Sequence, residues 1–300
     1  MIFRWLSNFV LRMPAPTKLS GEQNSIVTVR TMHRSFRSDN EGVIRNLCQV
    51  AYLGDHTALC RVLGRYKMYV DTRDIGLASH LMLEGFWEMW VTDAILTLVR
   101  EGAIVADIGA NLGYFSILMA DLVGPGGRVH AFEPNPHLTS LLSKSAAVNG
   151  FSSRLSIHPV ALDAHDHGEC LLRVPADDPK NAYIAPLGDD MPDDAIRVPT
   201  RRLDSAPEWA DIEFAKIDVE GAEEQVWDGM QGLVDHGRLK TVVIEFSPAR
   251  YPDPVAFLGR LTAPGFTLWR IDFAKGIVET NVEEVLSGNP FDDVMLVLRR

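Results

Sequence analysis

The segment 105–116 (VADIGANLGYFS) constrains the fold of this chain more than any other stretch. An apolar strand ends in Asp107, Gly109 and Gly113 flank Asn111, and a helix begins at once. Gly109 can take a positive φ and lets backbone approach a ligand closely. Gly113 permits tight packing of the loop on the helix, whose first N–H groups suit a carboxylate or phosphate. The next strand ends in Glu133, 26 residues after Asp107. A carboxylate there can accept from both hydroxyls of a ribose. Together these residues point to a nucleoside-bearing cofactor, against the plainer reading of a tight turn in an α/β sheet. Two related loops are excluded. The G-x-G-x-x-G fingerprint needs glycine at 111 and 114, which hold Asn111 and Tyr114, and no Gly-Lys-Ser/Thr of a P-loop follows.

Two regimes are visible along the chain. Residues 1–100 read as a mainly helical N-terminal extension or lid with one short strand at 65–71 (RYKMYVD). Asp39 and Asn40 offer N-caps, with Val43, Ile44, Leu47, Val50 and Ala51 following at helical spacing. Residues 87–99 read as a further helix. From 101 to 300 strands and helices alternate. Strands are expected at 103–108, 128–132, 155–161, 214–218, 241–246, 266–271 and 294–298, with helices at 113–122, 136–148, 222–234 and 254–261. Between 169 and 203 the rhythm breaks, and CLLRV and AIRVPTRRL read as paired strands around a Pro/Asp-rich excursion. Such alternation implies an α/β, Rossmann-like sheet of seven strands, mostly parallel and covered on both faces. The short link before the last strand implies that this strand is reversed.

Composition narrows the partners. The chain is 46% hydrophobic and 23% charged, ordinary globular usage that excludes a disordered or fibrous protein. With 40 acidic against 29 basic residues the formal charge is -11, a poor match for nucleic-acid phosphates. Cys48, Cys60 and Cys170 form no metal clip or disulfide framework. No apolar run approaches the ~20 residues of a membrane span. Residues 1–13 (MIFRWLSNFVLRM) read as an amphipathic helix rather than a signal peptide, and a cytoplasmic location is the expectation.

VADIGANLGYFS, RVHAFEPNP, FAKIDVEGAEEQVWDGM and VVIEFSP, with DIGLASHLMLEGFWEMW upstream, resemble the FkbM family of S-adenosylmethionine-dependent methyltransferases over residues 68–300. The resemblance implies a class I methyltransferase sheet with S-adenosyl-L-methionine as cofactor. It implies that Asp107, Gly109, Asn111 and Gly113 hold the methionine part and Glu133 the ribose. Residues 161–163, including Asp163, would lie near the adenine.

A second acidic group follows. In KIDVEGAEE (216–224), Asp218 ends a strand and Glu220 lies two residues on, while Glu245 ends the next strand. Ligands of open α/β sheets bind beyond the carboxyl ends of the strands, so these acids converge on the cofactor crevice. A sulfonium methyl is already activated, and catalysis is chiefly alignment. Asp218, Glu220 and Glu245 are the candidate catalytic residues, taking a hydroxyl proton or orienting the acceptor. Glu223 and Glu224 read as charges favouring a helix N-terminus. His80, Trp87 and Glu88, just before the cofactor strand, and Asn181 and Tyr183, in the excursion, are weaker acceptor contacts.

No metal is expected, and His165-Asp166-His167 reads as a solvated turn. An Asn/Asp-Pro-Pro-aromatic segment typical of nucleobase methylation is absent after the fourth strand, where Asp218-Val219-Glu220-Gly221 stands. The expected activity is O-methylation of a sugar or small natural product. An N-methyltransferase and a non-catalytic S-adenosylmethionine-binding partner protein are the alternatives.

Overall fold

The computed structural model describes residues 28–32, 36–175, 182–185 and 192–300. The chain starts with a single helical turn, α1 (Val29–Met32), and helix α2 (Arg37–Leu47), followed by strands β1 (Val50–Gly54), β2 (Thr57–Val62) and β3 (Tyr66–Asp71). Helices α3 (Leu77–Leu83) and α4 (Met89–Leu98) lead into β4 (Ile104–Ile108), α5 (Tyr114–Leu122), β5 (Arg128–Phe132), α6 (Pro136–Val148) and β6 (Leu155–His158). Next come β7 (Ala161–Leu162), β8 (Gly168–Arg173), β9 (Tyr183–Ala185) and β10 (Ala195–Arg201). The remainder runs β11 (Phe214–Ile217), α7 (Glu223–Asp228), α8 (Gln231–Asp235), β12 (Thr241–Phe246), α9 (Pro254–Thr262), β13 (Thr267–Asp272), β14 (Gly276–Glu279), α10 (Val282–Leu286) and β15 (Val294–Arg299).

The central sheet has the order β14-β13-β15-β12-β11-β4-β5-β6. Strands β6, β5, β4, β11 and β12 pair in parallel, and β15 inserts antiparallel between β12 and β13. This is the mostly parallel α/β sheet with a reversed last strand that the sequence pattern implies. An eighth strand, β14, extends the edge as a hairpin on β13. Strand residues alternate between two cores: Val242 and Ile244 face one, Val243 the other. Helices α4, α5 and α6 cover the first core, and α7, α8 and α9 the second.

The expected ends of α6 hold. Asn135 caps α6 by accepting from His137 N at 3.0 Å, Pro136 opens that helix, and Gly150 follows it with φ +73°. The excursion also pairs as expected, with β8 and β10 antiparallel. They belong to a small sheet, β7-β10-β8-β9, inserted before β11.

Two expectations fail for stated reasons. The N-terminal stretch has three strands instead of the one expected at 65–71, because residues 50–71 form a three-stranded antiparallel sheet among its helices. Val50 and Ala51 belong to β1, not to α2, and Asp39 and Asn40 lie inside α2 rather than capping it. Instead Asn40 Nδ2 donates to the Met32 carbonyl at 2.9 Å. The hairpin turn Gly54-Asp55-His56 has positive φ at all three positions without the usual Asn-Gly signal. The single helix expected over 222–234 is broken into α7 and α8 around Gly229. Asp204 takes the backbone groups freed at the break, its N donating to the Gly229 carbonyl and its Oδ2 accepting from Gly232 N, while the Asp163 carbonyl packs so close to Gly229 that a Cβ there would stand 2.1 Å from it.

The N-terminal sheet is fastened to the central domain by named bonds. Tyr66 Oη donates to Asp121 Oδ2 at 2.8 Å, and Tyr69 N donates to Ser145 Oγ at 2.9 Å. His137 Nε2 lies 2.8 Å from Asp71 Oδ2. These contacts fix the position of α3 and α4, which follow β3 and lead to the cleft.

One buried histidine makes stability pH-dependent. His130 on β5 is 3% exposed, stacks on His158 of β6, and shares a 3.1 Å nitrogen–nitrogen contact with it. Burial pushes the His130 pKa down to about 4, with His158 and Arg128 adding to the effect. A depressed histidine binds fewer protons folded than unfolded, so its contribution is complete above the unfolded value of ~6.5. It is lost as pH falls from there toward 4. The expected slope is about 1.4 kcal/mol per pH unit in that window. Melting temperatures of wild type and His130→Gln between pH 4 and 8 check this. Parallel curves would remove His130 as the cause.

Candidate functional site

A cleft of about 360 Å³ opens beyond the carboxyl ends of β4, β5, β11 and β12, within the usual size of small-molecule sites. The loop 109–113 forms one side. Gly109, with φ +77°, runs against the end of β11: a Cβ there would stand 1.8 Å from the Asp218 carbonyl oxygen. Asn111 takes a left-handed φ of +52°, and its side-chain oxygen accepts from Leu112 N at 2.8 Å. Such a self-bonded turn is what an asparagine supplies more cheaply than most residues. Gly113, with φ +86°, packs on α6, where a Cβ would strike Leu142 Cδ1 at 2.0 Å.

Glu133 organises this end. Its Oε2 accepts from Asn111 N and its Oε1 from Asn135 N, each at 2.8 Å. The carboxyl thus ties the ends of β4 and β5 together while facing the cleft. Burial pushes its pKa up to about 7, against the lowering effect of the two backbone N–H groups. Below the loop, Asp107 is 1% exposed, and its Oδ2 accepts from Ser116 Oγ at 2.5 Å. Its Oδ1 has no hydrogen-bond partner among the described residues. Burial raises its pKa, partly offset by the charge of Lys216.

The far wall combines three segments. Val160, Ala161 and Leu162 are joined by Leu172, Ala182 and Ile184 of the inserted sheet, an apolar surface suited to a flat ring. Across the cleft stand Leu77, Trp87 and Glu88 from the N-terminal region.

The acidic end holds Asp218, Glu220, Glu245, Arg250 and Asp293. Lys216 Nζ donates to Asp218 Oδ2 at 2.9 Å. After it the chain turns sharply, with φ +55° at Glu220 and +104° at Gly221. Glu223, fully buried, holds that turn. Its Oε1 accepts from Val219 N and Gly221 N, both at 3.2 Å, and its Oε2 from Tyr251 Oη at 2.7 Å. Arg250 Nη2 reaches Glu220 Oε2 at 3.1 Å and Asp293 Oδ1 at 3.3 Å, and its Nη1 pairs with Glu245 Oε2. Burial, reinforced by Asp218 and Glu220, pushes Glu245 up to about 8, although Arg250 opposes this.

The sequence profile of the methyltransferase FkbM domain matches residues 107–268, more than half of the chain. The chain belongs to the FkbM methyltransferase family. Membership implies S-adenosylmethionine as the methyl donor. Among curated proteins, the protein-L-isoaspartate O-methyltransferase of Aeropyrum pernix is 44% identical over 52 residues, 17% of this chain and 20% of that protein. The protein of the same name from Methanococcoides burtonii is 31% identical over 75 residues, 25% of this chain and 34% of that one. This FkbM-family chain thus matches only a fifth to a third of the length of these relatives. Among solved structures, a methyltransferase FkbM from Methylobacillus flagellatus KT aligns with TM-score 0.43 at 16% identity, over 67% of this chain and 45% of that one. A TehB-like SAM-dependent methyltransferase from Corynebacterium glutamicum aligns with TM-score 0.42 at 13% identity, over 74% of this chain and 94% of that one.

The residues expected from sequence divide cleanly. Gly109, Asn111, Glu133, Asp218, Glu220, Glu245, Trp87 and Glu88 line the cleft of this FkbM methyltransferase. Asp107, Gly113 and Asp163 do not. Asp107 is a buried support beneath the loop, Gly113 a packing position, and Asp163 accepts from His165 N at 2.9 Å. His80 is exposed and meets the cleft only through Trp87, its ring 5.0 Å away. Asn181 lies outside the described residues. Tyr183 is exposed on β9 and does not line the cleft. Sequence reasoning missed Lys216, Arg250 and Asp293. Lys216 had a signal, a charge inside the short apolar strand FAKI; the other two approach only through tertiary folding.

The residues present fit the nucleoside. Glu133 keeps lone pairs free beyond its two backbone bonds and faces the cleft, and an apolar wall lies beside it.

Proposed function

We propose that this FkbM methyltransferase is an S-adenosylmethionine-dependent O-methyltransferase acting on a hydroxyl of a sugar or small natural product. The observation that carries the reading is the position of Asp218. It lines the cleft between the cofactor loop and the Glu220–Arg250–Glu245 group, with Lys216 as counter-ion. S-adenosylmethionine, when bound, supplies a methyl group already activated by its sulfonium. Glu133 holds the ribose hydroxyls, and the Gly109–Asn111 turn takes the methionine part. Asp218 accepts the proton of the acceptor hydroxyl as its oxygen becomes the nucleophile. Glu220, Glu245 and Arg250 orient the rest of the acceptor through hydrogen bonds. Trp87 and Glu88 close the side opposite the sheet and exclude water.

Incubation with methyl-labelled S-adenosylmethionine and an extract of small metabolites tests this directly. A labelled methyl ether, with S-adenosylhomocysteine released, is the expected product. A labelled amine would replace the reading by N-methylation, and cofactor binding with no release would replace it by a non-catalytic role.

Two further outcomes are expected. Above about pH 8, where the Glu133 carboxyl is ionised, Glu133→Ala should weaken S-adenosylmethionine binding by about 1.5–3 kcal/mol, the worth of hydrogen bonds to a charged group. Calorimetry showing unchanged affinity in a folded variant would take Glu133 out of the cofactor site. Turnover should survive exhaustive chelation, because the Arg250 guanidinium occupies the space between Glu220, Glu245 and Asp293 that a divalent ion would need. Loss of turnover that Mg²⁺ restores would recast these acids as ligands.

A further inference from the structure

Lys216 is 2% exposed, yet its ammonium reaches the cleft. It stands on β11 directly opposite Asp107 on β4 and shares a strand face with Asp218, two residues on. Its Nζ donates to Asp218 Oδ2 at 2.9 Å and lies 4.9 Å from the centre of the Phe115 ring. Burial alone would favour the neutral amine, but the charges of Asp218 and Asp107 raise its pKa above the ordinary lysine value. A methionine of similar length would fill this position without desolvating a charge. Packing therefore does not account for a lysine here, and the geometry leads to Asp218.

We propose that Lys216 is the positioning residue for Asp218: its ammonium fixes that carboxylate at the acceptor end of the cleft. The inference rests on the reading of Asp218 as proton acceptor. Lys216 touches neither the reacting methyl nor the acceptor oxygen in this scheme. It holds one Asp218 oxygen, so that the other is presented to the hydroxyl. The charge of the same ammonium also offsets that of buried Asp107 on the neighbouring strand.

A double-mutant cycle of Lys216→Met and Asp218→Asn tests this. The probe is single-turnover transfer from methyl-labelled S-adenosylmethionine into an extract of small metabolites, with S-adenosylhomocysteine affinity measured by calorimetry. Lys216→Met should lower transfer by about 10–100-fold, as loss of an orienting partner does elsewhere. Lys216→Arg should restore part of the rate. In the Asp218→Asn background the same change should cost nothing further, and S-adenosylhomocysteine affinity should stay within about threefold, well under the 1.4 kcal/mol of a tenfold change.

Losses that multiply in the double variant would show that Lys216 acts independently of Asp218 and would overturn the proposal. A slow Asp218→Asn with a wild-type Lys216→Met would also overturn it while leaving the Asp218 reading intact. A wild-type rate for Asp218→Asn would instead remove the reading of Asp218 and the proposal with it. Should Lys216→Met fail to fold, the double variant, which removes both charges of the pair, and Lys216→Arg carry the test. A double variant slower than Asp218→Asn alone counts against the proposal, and an equal rate counts for it.

Discussion

Asp218→Asn is expected to lower the single-turnover rate of methyl transfer by about 10²–10⁴-fold, the usual worth of a general base. The substitution keeps the shape of the side chain and one oxygen that can still accept from Lys216 Nζ, so the end of β11 should stay in place. It removes the basic site and little else. Cofactor affinity should change little, because the substitution leaves the Asp218 backbone that packs on Gly109 in place and does not touch Glu133 or Asn111. A structural role for Asp218 predicts the reverse pattern: nearly normal transfer per folded molecule, with a lower melting temperature or weaker cofactor binding. Measuring rate, melting temperature and affinity on one preparation separates the two. Wild-type transfer rates with asparagine at 218 would move the role to Glu220 or Glu245. Of these, Glu245 is held at a pKa of about 8 by its surroundings, so its pH-rate profile would be distinctive.

What was legible in the sequence follows from how local each signal is. The caps of α6 rest on Asn135, Pro136 and Gly150, residues that act on their own backbone, and they read correctly. The reversed β15 was expected from a short link, but the structure produces it by another route: the β13–β14 hairpin, missed in the sequence, turns the chain round, and α10 then carries it to a β15 antiparallel to β13. The N-terminal sheet was not legible, because its first turn runs through Asp55 and His56 rather than a hairpin dipeptide, while Val50 and Ala51 continued a helical spacing. The break between α7 and α8 is held by a distant segment: Arg202 Nη2 donates to the Asp228 carbonyl, Asp204 N to the Gly229 carbonyl, and Asp204 Oδ2 accepts from Gly232 N. The cleft shows the same division. Acids at strand ends could be placed from the alternation alone, whereas Arg250 and Asp293 reach it from segments flanking β12 and β15. Asp107 illustrates a subtler limit: sequence put it at the right strand end but could not say that its side chain points into the floor, toward Ser116, instead of the ligand.

Gly109→Ala is the second large effect, and its cause is not the one that the loop pattern first indicates. The glycine was expected to make room for a ligand. In the structure the added Cβ would stand 1.8 Å from the carbonyl oxygen of Asp218 and 2.8 Å from its carbonyl carbon, both backbone atoms of the neighbouring strand. They cannot move without opening the β4–β11 pairing, in which Asp218 N donates to the Ile108 carbonyl at 3.1 Å. The left-handed φ of +77° adds its own cost of about 1–2 kcal/mol for an L-residue. With about 1–3 kcal/mol for the overpacking, a destabilisation of about 2–5 kcal/mol is expected, together with loss of transfer, since Asp218 is displaced with its carbonyl. Gly113→Ala provides the contrast. Its Cβ meets the tip of Leu142, a flexible side chain, at 2.0 Å, so Leu142→Ala should relieve the overlap, and the double variant should be more stable than the sum of the two single losses predicts, although the φ of +86° and the Leu142 cavity still cost. No side-chain truncation can do the same for Gly109, because its obstacle is backbone. Thermal melts of the two alanine variants, with and without Leu142→Ala, decide the point. A Gly109→Ala protein that melts and transfers like wild type would mean that β4 and β11 do not approach as closely as described.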